Sequence, residues 1–251
     1  MAKAERPALT PEEVAAVKAM VIHQDDHIIA FNKPPGLSSQ GGRIKAHTLD
    51  DLMWAFARSS GNRPRLIHRL DRDTSGVILT GRTQPAASYL GKAVMARKLR
   101  KTYLAIVAPG APQPRGGEIA VPLRREEIGR ESYMRPAGDG EPDAQPARTI
   151  YRTLATTDEA ALVELNPVTG RMHQLRVHLA SIGRPIVGDA RYGGALHIGG
   201  RSAPRLMLHA RALSFPHPDG SGMKAVEADP PADFRAMLAA LQLEPGDGSG
   251  R

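Results

Sequence analysis

Between two apolar runs, within Ile67–Thr80 (IHRLDRDTSGVILT), the carboxylate of Asp71 stands between Arg69 and Arg72, with Thr74, Ser75 and Gly76 behind it. The pattern reads as a strand, a short polar loop carrying an acid, and a second strand. Carboxylates in such loops serve as nucleophiles and bases, as in glycosidases. The same residues also fit an ordinary turn, with Asp71 or Asp73 bonded to its own backbone and the arginines solvated. A second polar cluster, GRMHQLRVH at 170–178, holds Arg171, His173, Gln174, Arg176 and His178. On a helix, the five-residue spacing of the histidines sets them about 140° apart, so no shared metal face is expected. Arg171 and Arg176 suit carboxylate or phosphate partners. Tyr103 is one of five tyrosines and reads either as a site residue or as core.

The elements that must carry these residues follow from caps and periodicity. Thr10-Pro11-Glu12-Glu13 is a capping box opening a helix to about Met20. Val21–Asn32 reads as two strands around Gln24-Asp25-Asp26. The prolines of Lys33-Pro34-Pro35-Gly36 end the second strand, and Gly36, Gly41 and Gly42 mark a loop passing close to something. Thr48 and Asp51 start a helix to about Arg58, with Leu49, Leu52, Met53 and Phe56 inward. Further helices are expected at Gln84–Lys98, Met172–Ile182 (with Gly183 as its cap) and Phe234–Leu241. Strands are expected at Thr102–Val107, Glu118–Leu123, Ser132–Met134, Thr149–Ala155, Ala160–Leu165 and Arg205–Phe215, with a loop at Gly138–Gln145 and a turn-rich segment at Pro185–Gly194.

The chain has 251 residues, a net charge of +8 and no cysteine. Disulfides, thiolate zinc sites and a cysteine nucleophile are excluded. A chain this basic is expected to hold polyanions, nucleic acid first among them. No G-x-G-x-x-G or phosphate-loop motif is present, so no nucleotide cofactor is expected. The first residues lack a signal peptide's apolar core and no window suits a membrane span, so the expectation is a cytoplasmic protein. Residues 1–19 are expected to form a lead-in with a short helix, 20–242 one catalytic domain and 243–251 a disordered tail. No separate N-terminal RNA-binding module is expected.

Six segments in order, KPPGL (33–37), HRLDRDTSG (68–76), KTYLAIV (101–107), GRMHQLRVH (170–178), PIVGDARYG (185–193) and LHA (208–210), resemble those of the RluA-type pseudouridine synthases over roughly residues 20–242. The resemblance implies an α+β fold: a single catalytic domain with a mixed, mostly antiparallel sheet, flanked by helices, and a central RNA-binding cleft. It implies an isomerase converting uridine in ribosomal or transfer RNA to pseudouridine. By position, Asp71 matches the essential aspartate, and Arg69 the arginine that enters the stack when the target base leaves. Tyr103 matches the tyrosine packed on the uracil, Arg176 the arginine paired with the acid, and Leu175 an apolar residue of the pocket. His68, Arg72, Thr74, Arg171 and His173 join the RNA-binding candidates. Two departures, Ser38-Ser39-Gln40 after KPPGL and Ala144-Gln145 before the Thr149 strand, are expected to bear on RNA choice and not on chemistry.

The implied reaction breaks N1–C1′, turns the uracil and rejoins it through C5. With no net redox change or hydrolysis, it calls for no cofactor and no metal. The base must leave its stack, which favours targets in stem-loops and bulges. Basic residues at 63–72 and 97–101 would contact phosphates. A monomer is the default state. Two rival readings stand beside this one. A non-catalytic RNA-binding or ribosome-assembly protein would share the fold and charge; a carboxylate-dependent glycosidase or nucleobase hydrolase would want a second acid.

Overall fold

In the computed structural model, residues 7–41, 47–59, 61–129, 131–138 and 140–243 are described. Gly42, the start of the lead-in and the tail after Leu243 lie outside them. The chain groups into two compact units: residues up to Leu99 with Ala210–Asp229, and Arg100–His209 with the residues from Pro230 on.

The first unit begins as its caps dictate. In α1 (Pro11–Ala19) the Thr10 hydroxyl accepts the Glu13 amide at 3.2 Å while the Glu13 carboxylate accepts the Thr10 amide at 2.9 Å. β1 (Val21–Gln24) and β2 (Ile28–Lys33) follow, β2 ending where the prolines begin. The helix expected from Thr48 to about Arg58 is shorter: α2 (Leu49–Leu52) tightens into a 3₁₀ turn, Met53–Phe56, that sets Phe56 edge-on to Phe31 at 5.4 Å. β3 (Arg65–Leu66) and β4 (Ser75–Gly81) bracket the Asp71 loop, as expected. α3 (Gln84–Met95) stops three residues short of Lys98, because Arg97 turns left-handed at φ 54°. β2 lies between β1 and β4, and β3 also pairs with β4, all antiparallel.

The second unit carries β5 (Arg100–Val107), β6 (Gly116–Ile119), β7 (Leu123–Ile128), β8 (Glu131–Pro136), β9 (Thr149–Thr156) and β10 (Ala161–Pro167). β10 pairs antiparallel with β5 and β9, and β6 with β9. The strand expected at Glu118–Leu123 is two: Pro122 interrupts it, and β7 goes on to pair with β8 as a separate charged hairpin. α4 (Gln174–Ser181), the short hairpin β11 (His197–Ile198) and β12 (Arg201–Ser202) come next. β13 (Leu208–Pro216) carries the chain back to the first unit, where β14 (Met223–Glu227) pairs with it; α5 (Ala232–Ala240) belongs to the second. The class is α+β, as expected. Each unit has its own core: Ile28, Val77, Leu79, Leu90, Leu213 and Phe215 in the first, and Leu123, Met134, Val177 and Tyr192 in the second.

Candidate active site

All seven residues of β4 are buried, which makes it a rigid platform for the loop it receives. The loop leaves β3 with the Ile67 amide on the Leu79 carbonyl at 3.0 Å and turns where the Thr74 amide meets the Asp71 carbonyl at 3.2 Å. At its exit Gly76 has φ 113°, and a Cβ there would lie 2.2 Å from the Ala210 carbonyl oxygen. Only glycine fits both the conformation and the space.

Three contacts clasp the loop by its backbone. Lys33 is fully buried, and its ammonium donates to the carbonyls of Pro34 (2.8 Å), Leu37 (2.9 Å) and Arg72 (3.0 Å). The Gly36 amide also donates to the Arg72 carbonyl, at 2.9 Å. Ser39 brackets Leu70, its hydroxyl donating to the Leu70 carbonyl at 2.7 Å and accepting the Leu70 amide at 3.0 Å. Ser39 belongs to a departure from the family pattern expected to affect RNA choice alone; here it fixes the residue next to Asp71. Of the other loop candidates, Arg69 is exposed and Arg72 forks onto Asp73 at 2.9 and 3.2 Å, which raises its pKa further. His68 Nε2 accepts the Leu79 amide at 3.2 Å, and Thr74 is buried. Asp71 itself is partly exposed.

The second unit holds the remaining candidates. Tyr103 lies on β5, buried, opposite Leu165. The start of α4 is set by Gln174, whose amide is fully used. Its oxygen accepts from the Thr169 hydroxyl (2.7 Å) and the Arg171 amide (3.0 Å); its nitrogen donates to the Arg148 carbonyl (2.9 Å) and Thr149 Oγ1 (3.0 Å). The helix consequently starts two residues later than expected, and His173 precedes it in the left-handed region at φ 51°. His173 Nδ1 lies 2.7 Å from the Tyr192 hydroxyl, which also accepts the Met134 amide at 3.1 Å. Burial pushes the Tyr192 phenol up. His178 is buried between Thr149 Oγ1 (2.9 Å) and the Val121 carbonyl (3.0 Å), and burial pushes its pKa down. Among the described residues no group of three or more metal-ligating side chains is suited to a metal ion.

Arg176 sends a fork to Asp189, Nε to Oδ2 and the terminal nitrogen to Oδ1, both at 2.7 Å. Asp189 is only 2% exposed. Its Oδ1 also accepts the amides of Arg191 (3.1 Å) and Tyr192 (3.2 Å), and the Arg176 guanidinium sits 5.0 Å over the Tyr192 ring. Leu175 is buried beside it in α4, and Arg171 donates to the Pro146 carbonyl at 3.2 Å. Sequence reasoning singled out PIVGDARYG without assigning Asp189 or Tyr192 a role. The usable signal was the glycine before the acid: Gly188 has φ 80°, and a Cβ there would lie 1.8 Å from the Arg205 carbonyl oxygen. Lys33 heads the KPPGL segment, but nothing in its type marked it as buried, since a lysine reads as a surface residue.

Residues 27–181 match the family profile of the RNA pseudouridylate synthases, and the chain belongs to that family. Its relatives are enzymes of RNA modification. Ribosomal large subunit pseudouridine synthase C of Escherichia coli (strain K12) is 33% identical over 250 residues, covering 96% of this chain and 76% of that protein. Mitochondrial pseudouridylate synthase RPUSD4 of Xenopus tropicalis is 32% identical, covering 92% and 83%. Among solved structures, human RNA pseudouridylate synthase domain containing 4 superposes with a TM-score of 0.79 at 28% identity, covering 93% of this chain and 98% of that one. The chain is an RNA pseudouridine synthase, an isomerase that turns uridine in RNA into pseudouridine.

Proposed function

We propose that Asp71 is the catalytic carboxylate and that the substrate is large-subunit ribosomal RNA, modified at a uridine that leaves its stack. The observation that carries the first part is the clasp on the Asp71 loop. Lys33, Gly36 and Ser39 grip the backbone at Leu70 and Arg72 and so fix the residue between them without using its carboxylate. Such preorganisation suits a group that must meet a reacting atom in one geometry. The second part rests on the names of the relatives.

In this reading Asp71 attacks the sugar or the ring, or takes a proton from the sugar, while N1–C1′ breaks. The uracil turns, C5 bonds to C1′, C5 gives up its hydrogen and N1 gains one. By the resemblance Arg176 is the arginine that partners the acid, and its fork onto Asp189 holds the guanidinium in one orientation. Tyr103 and Leu175 face the uracil, and the exposed Arg69 fills the gap left in the stack. His68, Arg72, Thr74, Arg171 and His173 serve RNA binding directly or by shaping the loop. The enzyme acts as a monomer in the cytoplasm and needs no cofactor.

The test is tritium release from uracil C5, using undermodified ribosomal and transfer RNA pools with wild type and Asp71→Asn. Release from ribosomal RNA that the variant abolishes, with RNA affinity retained, is the expected result. Release by the variant overturns Asp71; release from transfer RNA alone overturns the substrate.

A further inference from the structure

In the first unit, outside the Asp71 loop, two cavities run together. One, of about 720 Å³, is lined among others by Trp54, Arg58, Arg63, Arg65 and Arg82. The other, of about 570 Å³, is lined by Asp26, His27 and Tyr89 with others. They share Arg58, Thr83 and Pro85, so they form one furrow. Each lies in the size range of ligand sites, about 300–1,000 Å³.

The charges of the furrow are unevenly spent. Two carboxylates line it, Asp26 and Asp50, and Asp50 is clamped by Arg63 at 2.8 and 2.9 Å. Among the described residues Arg58 and Arg82 reach only backbone carbonyls, of Asp26 and Asp25, and Arg65 is exposed. Among the described residues no carboxylate pairs with these three guanidiniums. α3 starts in the furrow wall with no acid in its first turn. Tyr89 is 43% exposed. Trp54 is partly exposed, with Arg63 at 5.6 Å from its ring centre.

A basic furrow with exposed rings at intervals matches the requirements of single-stranded nucleic acid: guanidiniums for phosphates and aromatic faces for bases. We propose that this furrow holds a single-stranded RNA segment flanking the modified uridine, with Arg58, Arg65 and Arg82 on phosphates and Trp54 and Tyr89 as stacking faces. The inference rests on the chain's acting on RNA and adds where that RNA is held. β3 joins the furrow to the Asp71 loop directly, since Arg65 and Leu66 line the one and Ile67 opens the other.

Trp54 is the chain's only tryptophan, so its fluorescence reports on this furrow alone. The experiment titrates the full chain with a twelve-nucleotide oligouridylate, using wild type, Asp71→Asn, Arg58→Gln/Arg65→Gln and Tyr89→Ala. Wild type and Asp71→Asn are expected to show the same saturable change in Trp54 emission. The double arginine variant should bind on the order of tenfold more weakly at 0.1 M salt, its log–log salt slope reduced by about 1.4 for two lost phosphate contacts. Tyr89→Ala should weaken binding with the slope unchanged. If Trp54 emission does not respond while anisotropy shows the oligonucleotide bound, the furrow is not the site and the proposal falls. An equal response to uridine monophosphate, or to an oligoglutamate of the same length, also overturns it, in favour of a mononucleotide or general anion site. Tritium release in the same preparations keeps the two readings apart: its absence in wild type strikes the catalytic proposal and leaves the furrow result standing.

Discussion

Two aspartates in this protein are placed by opposite means. At Asp71 the protein grips the backbone on either side, through Lys33, Gly36 and Ser39, and the side chain is left partly exposed. At Asp189 it grips the carboxylate itself, with one arginine fork and two amides, and buries it. The contrast separates an acid placed through its backbone from one placed through its carboxylate. Arg176 is what Asp189 holds, through both arms of the fork.

Exchanging the charge at each site is the sharpest way to break the comparison. Asp71→Asn should lower turnover on the order of 10⁴-fold while leaving the midpoint of thermal unfolding essentially where it was. A large fall in that midpoint would show Asp71 to be structural. Asp189→Asn should do the reverse in kind. It keeps the shape but takes the charge from the buried end of the Arg176 fork, at about 3–5 kcal/mol of stability, read by urea unfolding. Adding Arg176→Met should restore part of that loss; no restoration would mean that the fork is not the reason for the cost.

The clasp can be tested next. Lys33→Met keeps the stem of a fully buried side chain but removes the ammonium from three carbonyls, of which that of Arg72 keeps the Gly36 amide. A loss of about 2–3 kcal/mol, together with slower turnover at saturating RNA, would tie the clasp to catalysis. The smallest effect concerns His178. Its pKa in the folded chain lies below the ordinary value of 6.5 because burial disfavours the imidazolium. Above that value the neutral ring is present in both states and nothing is lost. As the pH falls below it, the unfolded chain binds a proton that the folded chain refuses, so stability declines, by at most about 1.4 kcal/mol per pH unit. Comparing unfolding of wild type and His178→Gln at pH 7.5 and 5.5 isolates this component; a wild-type curve no steeper than the variant's would count against it.

Much of this architecture was legible because local signals agreed with the global fold. The capping box at Thr10 and the β-branched and aromatic run of β5 each named an element that formed, and the prolines after Lys33 named where one ends. Where the reading went astray, the signal was tertiary. The β7–β8 hairpin carries LRREEI, whose charges hide a strand held by pairing with its neighbour. The helix after Thr48 tightens at Met53, and the one expected from Met172 waits for Gln174 to close its bonds. At the candidate site, Asp71, Arg69, Tyr103 and Arg176 stood out by type and motif. Lys33, Ser39 and Asp189 did not, because a buried lysine, a serine bracket and a carboxylate spent on a neighbour show their purpose only once the chain has folded.

Gly76 shows what this means for a genetic survey. It does no chemistry, yet no other residue can occupy its backbone conformation beside Ala210. A saturation library scored by pseudouridine formation would return positions 71 and 76 as equally intolerant. Scored by soluble protein, the same library would drop 71 from the intolerant set and keep 76, and the two kinds of indispensability would come apart in a single pair of screens.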